Sequence, residues 1–181
     1  GCRHNPRNRG VAQALQWRRI ATLQFDLTLP SETLSRVNGF DVEVLAQRLL
    51  QALVWSRGVA EIAGLPLGIF GSSTGAAAGL MAAAQRPRDV AALVSRGGRL
   101  ELAGPVLGDV RTPTLLLVGG ADTEVLRLNI AAFARLKCDK QLEIIPRASH
   151  LCAEAGAAEA VARLARDWFA RHFGVDPDRR E

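Results

Sequence analysis

A serine lies between two glycines in the segment Gly71-Ser72-Ser73-Thr74-Gly75, which follows a short apolar run and precedes a run of alanines. A strand, a sharp turn and a helix in this order are the context in which the pattern G-x-S-x-G exposes a nucleophilic serine. The turn strains the serine backbone, so the residues two before and two after it must be small. Ser73 satisfies this spacing and Ser72 does not. The segment therefore predicts that Ser73 is a nucleophile at a helix N-terminus, where free N–H groups favour developing negative charge.

Glycine-rich turns between a strand and a helix also bind phosphate, so nucleotide binding is the rival interpretation. A Walker loop requires G-x-x-x-x-G-K-[ST], and no lysine follows these glycines. A dinucleotide-binding turn requires G-x-G-x-x-G, whereas the glycines here occupy positions 68, 71, 75 and 79. The spacing disfavours both phosphate sites. A chance match to G-x-S-x-G stays open until partners for the serine are found.

Serine attack on an acyl carbon requires a base that takes the hydroxyl proton and a carboxylate that orients this base. Ser73, Asp122 and His150 each follow the carboxyl end of a different predicted strand. Because ligands of parallel sheets bind beyond these ends, we expect the three side chains to share one rim. Their order along the chain is the order found in doubly wound folds that carry such a serine. We predict a triad of Ser73, Asp122 and His150, in which Asp122 can also cap the helix that follows it.

The predicted base and acid have rivals. His172 ends a helix, where it faces solvent or caps the helix, and His4 precedes the serine in the first loop. Asp26 follows the first predicted strand, as a structural carboxylate beneath the rim. Asp109 precedes a strand and therefore points to the opposite end of the sheet. His4 also lies outside the order of serine, acid and histidine.

The pattern of apolar residues supplies the elements that position these side chains. Apolar runs predict strands at residues 20–25, 65–70, 90–94, 113–118 and 141–145. Helical spacing predicts helices near 11–17, over 41–57 and 74–85, from 125 to 136 and from 161 to 172. Strands that alternate with helices predict an α/β fold with a doubly wound, mostly parallel sheet. We expect one domain over residues 1–181, truncated at its N-terminus, whose tail from 174 to 181 frays.

Composition favours an ordinary globular protein. The 181 residues are 48% hydrophobic and 23% charged, and no apolar run approaches the roughly 18 to 20 residues of a membrane span. The net charge of +5 is spread along the chain without a basic stripe or interleaved aromatics, so no nucleic-acid partner is expected. Three cysteines without a C-x-x-C pair predict neither disulfides nor a metal site, and favour a cytoplasmic protein. We expect no cofactor.

The chain resembles serine-type α/β-hydrolases of the dienelactone-hydrolase-like group, which includes domains fused to phosphoribosyltransferases. The resemblance covers nearly the whole chain. It is carried by Arg7-Asn8-Arg9, Phe25-Asp26-Leu27, the segment from Phe70 to Ala78, Ser95-Arg96-Gly97-Gly98-Arg99, the segment from Leu117 to Thr123, and His150. It implies the same Ser73–Asp122–His150 triad. Dienelactone hydrolases proper carry a cysteine nucleophile where this chain has a serine, so the resemblance leaves the substrate open.

The resemblance also implies strands and an oxyanion loop upstream of the segment that starts here. The backbone N–H of Thr74 would supply one oxyanion donor, since Thr74 follows the nucleophile. The second donor would come from that upstream loop or from the backbone of Gly1 or Cys2. Arg96 follows a strand and reaches the same rim, where it either binds a substrate anion or braces the loops. The connection from 96 to 112 is too short for a lid domain, which favours an open, shallow site.

These observations predict a serine hydrolase that cleaves a small carboxylic ester, thioester or lactone through an acyl-serine intermediate. The alternative is a catalytically weak or silent hydrolase-like module attached to another domain. No membrane partner is expected in either case.

Overall fold

A parallel sheet of four strands forms the centre of the protein, which was analysed as a computed structural model. The structure describes residues 4–29, 32, 41–150, 152–154 and 156–175. The strands are β1 (Gly68–Ser72), β2 (Ala92–Arg96), β3 (Thr114–Gly119) and β4 (Lys140–Ile145). They lie side by side in sequence order, β1-β2-β3-β4, and each neighbouring pair is parallel. The carboxyl ends of all four strands therefore lie at one rim of the sheet.

Helices cover both faces of this sheet. The helices are α1 (Pro6–Gln16), α2 (Val42–Arg57), α3 (Thr74–Gln85), α4 (Thr123–Arg135) and α5 (Ala157–Phe173). On one face, α2, α3, α4 and the β2–β3 connection enclose an apolar cluster, and on the other face α1 and α5 enclose a second cluster. Every residue of β2 and β3 is buried, which explains the unbroken apolar runs 92–94 and 115–118 within them. The predicted doubly wound α/β architecture is confirmed.

Helix α3 is buried against both the sheet and α2. Five of its alanines (76, 77, 78, 82 and 83) are fully inaccessible to solvent, as is Leu80. Small side chains allow the backbone of α3 to approach β1 closely. At Gly79 an added Cβ would lie 3.0 Å from the Ile69 side chain, so this helix position has little room even for a methyl group. The close packing fixes the direction in which the chain leaves β1.

The β2–β3 connection carries no lid domain. It forms a single 3₁₀ segment, Leu100–Asp109, which buries Leu100, Ala103 and Leu107 against α3 and α4. The connection is therefore part of the body of the domain and does not extend over the rim.

The predicted strand at residues 20–25 is wrong. These residues form no regular element, and Leu23 is exposed while Ile20 and Phe25 contact the two apolar clusters. An apolar segment becomes a strand only where a neighbouring backbone pairs with it. In the described part of the chain, β1 and β4 are the edges of the sheet and neither pairs with this segment. Residues 176–181, most of the tail predicted to fray, lie outside the described residues.

Candidate active site

The turn between β1 and α3 holds Ser73 in a strained backbone conformation. Ser73 has φ 50° and ψ −126°, a region that costs non-glycine residues about 1–3 kcal/mol. The strain arises because the chain reverses at once from the end of β1 into the first turn of α3. At Gly71 an added Cβ would lie 2.6 Å from Ala76 Cα and 2.8 Å from Ala76 N. Glycine is required there, as the sequence predicted.

Gly75 does not follow the same rule. An added Cβ at Gly75 would meet no described atom within 4 Å beyond its own helix backbone. The described residues therefore give no steric reason for a small residue at the second flanking position, since none of them crowds the first turn of α3 there. The Thr74 N–H begins this helix and has no acceptor in a preceding turn, so it is available to an anion placed beside Ser73.

The loop after β2 bonds the backbone of the predicted nucleophile and contacts the predicted base. The Ser73 N–H donates to Arg96 O at 3.2 Å, and the Arg99 N–H donates to Ser73 O at 3.2 Å. Gly97 lies beside the His150 ring, with its Cβ position 3.4 Å from both Cε1 and Nδ1 of that ring. Gly97 also has φ 53°, which favours glycine. One short loop therefore separates the backbone of Ser73 from the imidazole.

Asp122 and His150 are joined directly. His150 Nδ1 lies 2.7 Å from Asp122 Oδ2, and the carboxylate side chain is 15% exposed while the imidazole is 39% exposed. A carboxylate accepts the Nδ1 proton, which leaves the Nε2 lone pair as the basic position of the ring. Asp122 is also the N-cap of α4, since its Oδ1 accepts the Val125 N–H at 3.3 Å. The contact with His150 and the helix cap coexist because they use different oxygens of Asp122.

Two interlocking loops bring this pair together. The Gly120 N–H donates to Ile145 O at 2.8 Å, and the Ala121 N–H donates to Ala148 O at 2.9 Å. At Gly119 an added Cβ would lie 2.4 Å from the carbonyl oxygens of Ala148 and Ser149, so only glycine permits this approach. The loops after β3 and β4 are thus packed backbone against backbone, immediately before the acid and the base.

The loop that carries His150 has a further support on its other side. Glu154 Oε1 accepts the Ser149 N–H at 3.0 Å. Hydrogen bonding to Ser149 is the main reason why the pKa of Glu154 lies below its usual value. The sequence offered no motif for this contact, which depends on the fold of the loop itself.

No hydrogen bond joins Ser73 Oγ to the His150 ring within the described residues. Hydrogen bonds between nucleophile and base are often long in enzymes without substrate and tighten only in the complex. Ser73 and His150 both contact the loop after β2, but no hydrogen bond joins the Ser73 hydroxyl to the imidazole among the described residues. The second oxyanion donor expected from Gly1 or Cys2 lies outside the described residues.

Arg96 lies beneath the rim. It is only 6% exposed, and its guanidinium carbon is 5.7 Å from the centre of the Phe70 ring. This position favours the bracing role over contact with a substrate. Cys152 lies nearby and is also buried, which raises the pKa of its thiol, so it is a poor competitor for the role of nucleophile.

Two rivals of the predicted acid and base, His172 and Asp109, lie away from the rim. His172 Nε2 is 3.8 Å from Asp139 Oδ2. Asp139 directly precedes β4, so His172 lies at the end of the sheet opposite the rim. Asp109 ends the 3₁₀ segment, before β3 begins. Among the described residues, no group of three or more histidine, cysteine, aspartate or glutamate side chains is arranged to hold a metal ion. No helix in the described part is both long and apolar enough to span a membrane.

Sequence reasoning missed Asn129. It lies on the buried face of α4 with Val125 and Ala132, and its amide donates to Gly98 O, in the loop after β2. The signal was present, because a polar side chain on the buried face of a helix requires a partner. The sequence could not name that partner, which lies 31 residues away.

Comparison with known proteins places this arrangement in a family. No protein-family model matches the chain. A crystal structure of dienelactone hydrolase from Anabaena variabilis superposes with a TM-score of 0.92 and 46% sequence identity, over 96% of this chain and 82% of that one. Est1E from Butyrivibrio proteoclasticus superposes with a TM-score of 0.81 at 14% identity, over 96% of this chain and 84% of Est1E, and shows the fold alone.

A longer relative occurs in Mycobacterium tuberculosis, where it bears the provisional name phosphoribosyl transferase. It is 51% identical over 171 residues, which are 94% of this chain and 39% of that protein. The chain thus spans about two fifths of the length of this curated relative. The near-complete overlap with the Anabaena enzyme, at 46% identity, defines the family: the chain belongs to the dienelactone-hydrolase-like α/β-hydrolases.

Proposed function

We propose that the chain is a serine hydrolase that cleaves a small carboxylic ester, thioester or lactone through an acyl-serine intermediate. The observation that carries the proposal is the 2.7 Å contact between His150 Nδ1 and Asp122 Oδ2, beside a serine held in a strained turn. A carboxylate bound to the far side of an imidazole is what makes its near side a base. Membership in a hydrolase family supports the same conclusion.

The proposed reaction gives each of the three side chains one role. Ser73 Oγ attacks the acyl carbon while His150 Nε2 takes its proton, and Asp122 stabilises the imidazolium that forms. The alcohol or thiol leaves with that proton, and the acyl group remains on Ser73. Water then attacks the acyl-serine, with His150 again taking a proton and returning it to Ser73. The product acid is released and the hydroxyl is restored.

Negative charge on the carbonyl oxygen must be stabilised in both steps. The Thr74 N–H lies at the start of α3, where the helix dipole adds to its effect. Loss of one such donor typically lowers turnover by about 100- to 1,000-fold, so a single donor would make a slow enzyme. A second donor, from Gly1, Cys2 or a segment before them, is part of the proposal.

The fold favours substrates of limited size. The β2–β3 connection packs into the body of the domain, so it contributes no lid above the rim. An open site encloses little of a substrate and suits small or surface-presented esters. Since the Anabaena relative is named for a lactone, cyclic esters belong among the first substrates to assay.

Labelling with a fluorophosphonate tests the proposal. This probe phosphonylates a serine only where a base and an oxyanion site activate it. We expect mass spectrometry to locate one phosphonyl group on Ser73, and none in Ser73→Ala. Turnover of p-nitrophenyl acetate should fall by roughly 10⁴-fold or more in the same variant. Wild-type protein that is neither labelled nor active would overturn the proposal.

A silent hydrolase-like module is the second candidate. The absence of a Ser73–His150 hydrogen bond among the described residues favours it, as does the longer relative with a name from another enzyme class. Such a module would leave p-nitrophenyl acetate turnover equal in wild type and Ser73→Ala. The same assay therefore separates the two candidates.

A further inference from the structure

Asn129 is a fully buried polar side chain in the middle of α4. Its exposed fraction is 0%, and its Nδ2 donates to Gly98 O and to Val125 O, each at 2.8 Å. Two carbonyl acceptors determine which end of the amide carries the nitrogen. The bond to Val125 remains within the helix, whereas the bond to Gly98 connects α4 to the loop after β2.

This position is not explained by stability alone. Asn129 Oδ1 is buried without a hydrogen-bond partner among the described residues, and the neighbouring Ser95 Oγ is likewise buried and unpartnered. Such groups destabilise the folded state relative to an apolar core. An apolar side chain at 129 would remove the unpartnered Oδ1 but would also leave the Gly98 carbonyl without its donor, so the favourable part of this side chain is its bond to the loop.

The loop that Asn129 holds contacts two members of the proposed triad. Arg96, which ends β2, accepts from the Ser73 N–H, Arg99 donates to the Ser73 carbonyl, and Gly97 lies against the His150 ring. The third member, Asp122, is the N-cap of the helix that carries Asn129. The bond from Asn129 to Gly98 is therefore a direct connection between the helix of the acid and the loop of the nucleophile.

We propose that Asn129 is a positioning residue, which holds the 96–99 loop so that Ser73 and His150 keep the spacing needed for proton transfer. It acts through the loop and touches no reacting atom. The inference rests on the proposed serine hydrolase, because only that reaction requires the spacing. A misplacement of about 1 Å in such a site can lower the rate by about 100-fold.

Asn129→Ala tests the role, since it removes the amide and retains a good helix former. We expect kcat for p-nitrophenyl acetate to fall by roughly 10- to 100-fold with KM little changed, and fluorophosphonate labelling of Ser73 to slow by a similar factor. Assays are run where urea titration shows the variant to be fully folded. A merely structural side chain would leave kcat of the folded protein unchanged.

Thr114→Val is the matched control. Thr114 is also 0% exposed, and its Oγ1 donates to the carbonyl of Thr112 at 2.8 Å, but it lies at the start of β3, far from the rim. We expect this variant to lower the urea midpoint without changing kcat. Equal kcat in wild type and folded Asn129→Ala would overturn the positioning role, as would an equal loss in Thr114→Val.

Amide hydrogen exchange provides a readout that does not depend on activity. The N–H groups of Gly97 and Arg99 donate to Leu117 O and Ser73 O. In Asn129→Ala we expect both amides to exchange roughly tenfold faster, which corresponds to the loss of about one net hydrogen bond. In Thr114→Val we expect the exchange of both amides to stay unchanged. If the wild-type protein has no hydrolase activity while this exchange effect is found, the hydrolase proposal fails, but Asn129 is still shown to hold the 96–99 loop. Unchanged exchange of the Gly97 and Arg99 amides in Asn129→Ala would show that Asn129 does not hold this loop.

Discussion

The two halves of the candidate site are built in different ways. At the ends of β3 and β4, Asp122 and His150 bond through their side chains, and their loops are joined by backbone hydrogen bonds. At the ends of β1 and β2, Ser73 is held by its own strained backbone and by hydrogen bonds to its peptide groups. Its hydroxyl takes part in none of these bonds. The acid–base pair is thus assembled in advance, whereas the nucleophile is positioned through the main chain.

This difference has a chemical reason. In the proposed reaction the Asp122–His150 bond persists through every step, and a short, partly buried contact stabilises it. The Ser73 hydroxyl would give its proton to the base, bond to carbon and be restored, so its oxygen must be able to change partners. The backbone can hold the serine without engaging its oxygen. Substitutions in the two halves should therefore affect activity and stability in different proportions.

The largest effect is expected from Asp122→Asn. Asparagine caps helices about as well as aspartate, so α4 and the free energy of unfolding should change little. The amide cannot stabilise an imidazolium and favours the wrong tautomer, so kcat/KM should fall by about 10⁴-fold. Steady-state kinetics and urea titration of the same sample measure both quantities. Wild-type activity in this variant would show that the bonded pair is structural.

A glycine pair tests the backbone half of the site. Gly71→Ala should reduce the free energy of unfolding by about 1–3 kcal/mol or more, because its Cβ would meet the rigid backbone of Ala76. Gly75→Ala has open space and gains helix propensity, so it should be neutral or stabilising by up to about 1 kcal/mol. Urea titration measures both. Equal effects would mean that close packing of β1 against α3 does not define the turn.

The smallest effect is expected for stability at low pH, in the half of the site that carries Asp122 and His150. The bond from the Ser149 N–H lowers the pKa of Glu154 from its ordinary 4.5, so its contribution to stability is fully present above about pH 4.5. That contribution is lost as pH falls through the lowered pKa of the folded protein. Between pH 5 and about pH 3, the urea midpoint of wild type should fall more steeply than that of Glu154→Gln. Parallel curves would contradict this role for Glu154.

Local patterns predicted much of the fold. Four of the five predicted strands are present within a few residues of their expected ends. The apolar runs of the two central strands, β2 and β3, are typical of strands buried on both faces. The fifth predicted strand, at residues 20–25, is also largely apolar but has no backbone to pair with among the described residues. Gly71 was predicted from the turn itself, whereas nothing local distinguishes Gly75 from it. Whether a strand pairs and whether a glycine has room for a side chain depend on neighbouring segments of the fold. The sequence of one segment does not contain this information.

By itself the sequence determined which groups could react and in what order they follow the strands. Ser73, Asp122 and His150 were found because parallel strands bring their carboxyl ends to one rim, a consequence of topology that periodicity reveals. Only the tertiary structure decided how the rim is held together. Three contacts join segments that are distant in the chain or carry no recognisable motif. They are the packing of Gly119 against the carbonyls of 148 and 149, the bond from Ser149 to Glu154 and the bond from Asn129 to Gly98. Hydrogen bonds and close contacts depend on positions to a fraction of an ångström, which residue types and spacing do not specify.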